Sequence, residues 1–235
     1  MSPDVPFRHF HDQLTALNRR LLTMSEKAES LVELSVDALL AQDAGKAEAV
    51  IDADRELDSM ELEIEAAALE LLALQQPMAR DLRFIVTTIK VTSDLERVGD
   101  HAVNIAQAAL RLISQRTNIT PDPEIEDMAR RARAMLSDAI DAFLRADGAL
   151  GRDVCARDDQ VDALHESVFR ILLTHMMADA RTINPSLEYL LVSRNLERVA
   201  DLATNISEDA VFLAEGKNIK HSGRSEDARA GTFTS

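Results

Sequence analysis

Apolar residues recur every three to four positions from residue 7 almost to residue 216, which is the period of an amphipathic helix. The first run covers residues 7–40: Phe7, Leu14, Leu21 and Ala28 stand seven apart, with Phe10, Leu17, Met24 and Leu31 between them. Ala44 and Gly45 punctuate the pattern weakly, and a second run continues to residue 74 with Val50, Leu57, Ile64 and Leu71 in register. Gln75, Gln76 and Pro77 end it, because the residue before a proline is pushed out of the helical region. A third run over 79–114 carries Leu82, Ile89, Val103 and Leu110. Residues 117–123, with Pro121 and Pro123, read as a linker. Runs over 124–146, 150–178 and 186–215 follow. Beyond Gly216 the periodicity stops, and the Ser-, Gly- and charge-rich tail to residue 235 is expected to be mobile.

Three helices, a linker and three helices suggest a duplication. LERVGDHAVNI at 95–105 and LERVADLATNI at 196–206 share eight of eleven positions at an offset of 101. A weaker match sets Val50, Asp54 and Asp58 against Val154, Asp158 and Asp162 at an offset of 104. The predicted fold is therefore all-α: two tandem three-helix bundles of six long antiparallel helices. The first bundle is expected over residues 1–116, the second over 124–216, and the tail over 217–235.

Composition supports helices over sheets. Seven Gly, six Pro, seven Phe, one Tyr and no Trp in 235 residues are too few for a sandwich or barrel with its many turns and aromatic-rich strands. A formal charge of −15 disfavours nucleic acid and anionic membrane as direct partners. The single cysteine, Cys155, has no intramolecular disulfide partner and reads as a small buried hydrophobe. No signal peptide is visible at the start, and charges break every apolar stretch within about ten residues, too short to span a bilayer. A cytoplasmic protein is expected. Neither a phosphate-cradling Gly-rich loop nor a nucleophile–base motif is present, so the chain does not read as an enzyme.

The candidate chemistry lies in four acid-x-x-x-acid pairs: Asp54/Asp58 and Glu96/Asp100 in the first half, Asp158/Asp162 and Glu197/Asp201 in the second. Residues four apart share a helix face. With 41 acidic residues, chance alone supplies about seven such pairs, and most are solvated surface. These four stand out because they recur in both halves. Glu96 also interrupts the series Leu82, Ile89, Val103, Leu110, and Glu197 interrupts Ile183, Leu190, Thr204, Val211. A carboxylate at a core-facing position is costly unless protonated, paired or bound to metal. Small residues follow the same seam: Thr92, Gly99 and Ala106, then Ser193, Ala200 and Ser207. Glu61 and His165 lie one turn on and extend the clusters. Oxygen-rich sites of this kind suit iron, manganese or magnesium, with zinc as a further candidate. The competing reading has Arg97 and Arg198 neutralise the acids through interhelical salt bridges. Asn104 and Asn205 are expected to hydrogen-bond between helices, and His101 and His175 to be packing or surface residues.

Duplicated three-helix units with Asp-x-x-x-Asp on the second helix and Glu-x-x-x-Asp on the third resemble the PhoU family of phosphate-specific transport accessory proteins. The resemblance covers residues 7–216. It is most specific at 95–105 and 196–206, and residues 10–14 (FHDQL) and 217–221 (KNIKH) also look like that family. It implies two bundles side by side and a multinuclear iron, zinc or manganese cluster on the acidic motifs. It also implies negative regulation of phosphate uptake and of the phosphate-starvation (Pho) regulon. The implied partners are the Pst phosphate ABC transporter, through its ATPase PstB, and the sensor histidine kinase PhoR, with homodimerisation left open. The membrane would be met only through those partners. Two other classes stay in view: a metal-free helical scaffold, and a ferritin-like di-iron enzyme. The enzyme class needs Glu-x-x-His on two helices, and only Asp162 to His165 comes near that spacing. The second half is three residues shorter between its Asp pair and its Glu pair, which is expected to alter its cluster.

Overall fold

A computed structural model describes residues 4–115 and 123–219, with side chains from residue 10 onward. The elements are α1 (Asp4–Ala41), α2 (Ala44–Gln75), α3 (Ala79–Ser114), α4 (Pro123–Arg145), α5 (Gly148–Cys155), α6 (Asp158–Ala178), a 3₁₀ turn (Ala180–Thr182) and α7 (Ile183–Glu215). The described residues contain no strand. Most of the predicted linker and the tail from residue 220 lie outside the described residues.

Helices α1, α2 and α3 pack on one another, and α4 packs with α5, α6 and α7 in the same way. The two groups meet where α3 lies against α7 and α1 against α4. Three contacts fix the direction of the central pair: Lys90 to Asp209, His101 to Asn195 and Arg111 to Glu188. One number rises as the other falls, so α3 and α7 run antiparallel. The repeat offset of 101 then makes them mates across a pseudo-twofold axis near Val98 and Val199, both fully buried.

Local chemistry repeats with the architecture. At each first corner the chain makes a left-handed turn, at Gln42 (φ 51°) and at Ala146 (φ 51°). Paired backbone bonds close it: Gln42 N to Leu39 O with Asp43 N to Ala38 O, and Ala146 N to Phe143 O with Asp147 N to Ala142 O. This is the helix-ending pattern usually made by glycine. Asp43 then caps α2 by accepting from Lys46 N, and Asp147 caps α5 by accepting from Ala149 N and Leu150 N. Pro123 opens α4 at the position where its missing N–H costs nothing.

Two sequence expectations need correction. The fifth run is not one helix: it tightens at Ala156 and Arg157, where Arg157 N bonds Val154 O at 3.0 Å in place of the α-helical partner. The Arg157 guanidinium is held there by Asp138 on α4 (2.7 Å) and by Asp153 (3.2 Å). No Pro or Gly marks this break. The apolar series in α3 and α7 was also one step off the core. Leu82 and Ile183 are 42% and 40% exposed, whereas Ile85, Val91, Thr92, Leu95, Val98, Gly99, Ala102 and Ala106 are buried, with the corresponding small and branched residues in α7. Small residues let neighbouring backbones approach and fill the centre, so the bulkier Leu and Ile flank them. In α2 the expected register holds: Val50, Leu57, Ile64 and Leu71 are all buried.

Candidate functional site

That register places Glu96 and Glu197 on the shoulder of their helices, half-buried. The α2 and α6 aspartates reach the same shoulder. Val50 and Val154 are fully buried, and one turn later Asp54 and Asp158 emerge half-buried, with Asp58 and Asp162 exposed.

In the first half the four predicted acids come near enough for their charges to act on one another, although no three of the described acids stand in a metal-holding group. Gly99 makes this approach possible: a Cβ there would lie 2.4 Å from Leu57 Cδ2 and 2.7 Å from Asp54 Oδ1. Without one, the Asp54 carboxylate rests against the α3 backbone. Burial, then the charges of Asp58 and Asp100, push Asp54 up to about 6. Burial, then Asp100, Glu61, Asp58 and Asp54, push Glu96 up to about 7. Glu61 joins the cluster as expected; burial and Glu65 raise it, Ser93 lowers it through a hydrogen bond, and Asp58 and Asp100 raise it further. Arg97 does not neutralise these acids. It turns to Asp94 in its own helix, at 3.3 Å.

The second half is arranged differently. Asp158 stands in the first turn of α6, where the helix dipole favours a negative charge. Its Oδ1 is buried without a hydrogen-bond partner. Burial, Asp162 and Asp201 push it up to about 6, against the lowering effect of the Thr204 hydroxyl. Asp162 is raised by burial, Asp201 and Asp159, and is lowered by His165 and Arg198. Arg198 pairs with Asp201 at 2.7 Å and with Glu197 at 3.7 Å. The salt-bridge reading thus holds for Arg198, within one helix and not between two. His165 Nδ1 lies 3.1 Å from Ser193 Oγ, tying α6 to α7. The three-residue shortening falls at the α6–α7 corner: Glu197 comes fourteen residues into α7, against seventeen for Glu96 in α3, away from the acids.

Cys155 is half-buried, with Sγ 3.9 Å from Thr204 O; burial, then Glu208 and Asp158, push its thiol up to about 11. It stays a neutral thiol beside the second cluster. Among the described residues, Asn104 and Asn205 make no interhelical hydrogen bond. His101 does: its Nδ1 lies 2.9 Å from Asn195 Oδ1 across α3 and α7. The sequence reading missed Arg111 and Arg194, which line one groove with Arg198 and His101. Only the antiparallel α3–α7 crossing brings them together.

The donor set is oxygen-rich and carries protons or unbalanced charge in the absence of a cation, which fits a hard or borderline metal. Among the described residues, no three His, Cys, Asp or Glu side chains already stand in a metal-holding group. No described helix is long and apolar enough to cross a membrane.

Comparison with known proteins gives the same outline. The PhoU domain matches twice, at residues 21–109 and 125–210. A relative from Clostridium acetobutylicum, described as a phosphate-specific transport system accessory protein PhoU homolog, is 38% identical over 211 residues, 89% of this chain and 96% of its own. The crystal structure of PhoU from Pseudomonas aeruginosa superposes with a TM-score of 0.86 at 34% identity, covering 88% of this chain and all of that one. That of the phosphate transport system regulatory protein PhoU from Streptococcus pneumoniae gives 0.83 at 29%, covering 89% and 99%.

Proposed function

Because the chain belongs to the PhoU family, we propose that it is a non-catalytic accessory protein of phosphate transport: a metal-binding adaptor that restrains phosphate uptake and the phosphate-starvation response. It would do so by linking the phosphate transporter's ATPase to the sensor histidine kinase. The observation that carries the metal part of this reading is the first cluster. Burial, then the charges of Asp58 and Asp100, raise Asp54 and Glu96 across α2 and α3, and among the described residues Arg97 pairs with Asp94 instead. Two like charges 4 Å apart repel by about 4 kcal/mol at an effective dielectric near 20, so a cation is the natural complement.

These four residues would hold a cation in the first half, and Asp158, Asp162, Glu197 and Asp201 one in the second. When bound, it would supply charge neutralisation and a cross-link between neighbouring helices. The chain's own groups do the rest: Gly99 admits the Asp54 carboxylate, and Ser93 steadies Glu61. At the second cluster a metal-free reading has specific support, because Arg198 already pairs Glu197 and Asp201.

The test is deletion of the gene, with a phosphatase reporter of the phosphate-starvation response read in phosphate-rich medium. The expected result is a derepressed reporter, restored by the wild-type gene. A reporter that stays silent overturns the regulatory reading.

A further inference from the structure

A groove of about 360 Å³ runs along the α3–α7 seam beside the Glu197/Asp201 pair, which holds Arg198. His101, Asn104 and Arg111 of α3 line one wall, and Arg194, Asn195 and Arg198 of α7 the other. Three guanidinium groups line this concave surface: Glu188 pairs with Arg111, Glu197 and Asp201 pair with Arg198, and Arg194 makes no ion pair among the described residues. We infer that this groove is an anion site for a phosphate group, free or carried on a small organic phosphate.

The argument rests on three observations. First, hydrogen-bond capacity is held in place and left over. Arg111 Nε is fixed by Glu188 (2.9 Å), and Arg198 Nη1 and Nε by Asp201 (2.7 Å) and Glu197 (3.7 Å). Each guanidinium carries five N–H donors in a rigid fork, so both keep donors to spare while the carboxylates behind them set their direction. Arg194 makes no ion pair or side-chain hydrogen bond among the described residues. Asn195 Nδ2 donates to Leu191 O at 2.7 Å, which leaves Oδ1 to accept from His101 Nδ1–H and fixes the ring at the groove wall.

Second, donors stand on both walls. A planar carboxylate satisfies one fork with two oxygens, whereas a tetrahedral oxyanion presents oxygens in several directions and serves both walls together. Third, the pseudo-twofold axis provides an internal control. The repeat offset sets Arg111, Arg194, Arg198 and His101 against Phe212, Ser93, Arg97 and Leu202 on the opposite side of the seam. There Arg97 pairs with Asp94, and Lys90, the mate of the lining Leu191, pairs with Asp209 and lies 5.9 Å from the centre of the Phe212 ring. Both cations on that side are ion-paired, whereas Arg194 in the groove is not, among the described residues.

The groove shares Arg198 with the second cluster, but its test reads anion binding on metal-free protein, so its failure is distinguishable from failure of the reading above. The experiment is calorimetric titration of the full chain, freed of metal on a chelating resin. The probes are inorganic phosphate, glycerol phosphate, acetate and hexaglutamate, run on wild type and on Arg194→Gln, Arg194→Lys and Arg97→Gln. The expected result is saturable binding of a phosphate probe, about tenfold weaker in Arg194→Gln, partly rescued in Arg194→Lys and unchanged in Arg97→Gln. Tighter binding of glycerol phosphate identifies the organic source, and tighter binding of inorganic phosphate the free ion. Circular dichroism of the variants confirms that they fold. No saturable binding of either phosphate, equal binding of acetate, binding of hexaglutamate alone, or an Arg194→Gln affinity equal to wild type each overturns the proposal.

Discussion

The two acidic clusters descend from one duplicated unit and yet handle charge in opposite ways. In the first half, Arg97 leaves the cluster for Asp94, and Glu96 is forced up to about 7 by burial and by four neighbouring carboxylates. In the second half, Arg198 stays with Asp201 and Glu197, while Arg198 and His165 both lower Asp162. Sequence separates them: Asp94, which takes Arg97, is matched by Asn195, Glu61 is matched by His165, and Asp158 opens its helix where Asp54 lies inside one. The spacing of acids therefore fixes where a cation is able to bind, while the disposition of nearby bases sets how strongly the site wants one.

The largest effect expected from this difference is on metal-dependent stability. Iron, manganese or zinc at a hundredfold excess over its Kd stabilises a binding fold by about 2.7 kcal/mol, roughly 5–10 °C in Tm for a chain of this size. Thermal melting of wild type, of Glu96→Gln/Asp100→Asn and of Glu197→Gln/Asp201→Asn partitions that shift. The first double variant is expected to lose most of it and the second the smaller part. Equal losses would erase the proposed asymmetry, and a wild type without any shift would remove metal from both halves.

The next effect concerns the seat of Asp54. Gly99 gives way to Ala200 in the second half, where the matching position is buried with a methyl group. Gly99→Val is expected to destabilise by about 2 kcal/mol, because its branches meet Leu57 and Asp54 in a packed seam. Ala200→Gly is expected to cost about 1 kcal/mol, chiefly through helix propensity. Urea denaturation measures both. If Gly99→Val proves harmless, the close approach of α2 to α3 is not what brings Asp54 to the cluster.

How far these features were readable from sequence differs between elements. The α2 register was legible because Val50, Leu57, Ile64 and Leu71 are large, apolar and central. In α3 and α7 the same reasoning slipped by one step, since close helix contact buries Gly, Ala, Ser and Thr, and hydropathy undervalues them. The acid pairs were legible through the repeat alone. The break before Asp158 was not, because no Pro or Gly marks it and Arg157's partner Asp138 lies on another helix. The α3–α7 arginine groove likewise depends on an antiparallel crossing that no local pattern encodes.

A third test uses pH on the metal-free chain. Asp54 and Glu96 are raised from 3.8 and 4.5 to about 6 and about 7, so the folded state holds protons that the unfolded chain has released. Their contribution to stability is complete below about pH 4 and is lost as pH rises through 6 and 7. Asp158, raised to about 6, adds a similar loss from the second half. Glu96→Gln is expected to flatten the decline near pH 7 and to leave the component near pH 6. Denaturation midpoints measured from pH 4 to pH 8 report the outcome; an unchanged slope would mean that Glu96 ionises freely.

The smallest expected effect on stability is the most direct on the comparison. Arg97 and Arg198 are about half exposed and sit in ion pairs within their own helices, a setting in which such pairs contribute about 0.2–1 kcal/mol. Arg97→Gln and Arg198→Gln should therefore melt within a few degrees of wild type. Their effects on metal should diverge. Removing Arg198 leaves Asp201 and Glu197 without their cation and makes the second cluster resemble the first, so the metal-induced shift should grow in Arg198→Gln. Arg97 neutralises no cluster acid, so Arg97→Gln should keep the wild-type shift. Melting each variant across a metal titration decides the matter. If the two variants respond alike, the arginine is not what distinguishes the halves, and the difference must lie in the placement of Asp158 at the start of its helix, where the dipole already compensates one charge.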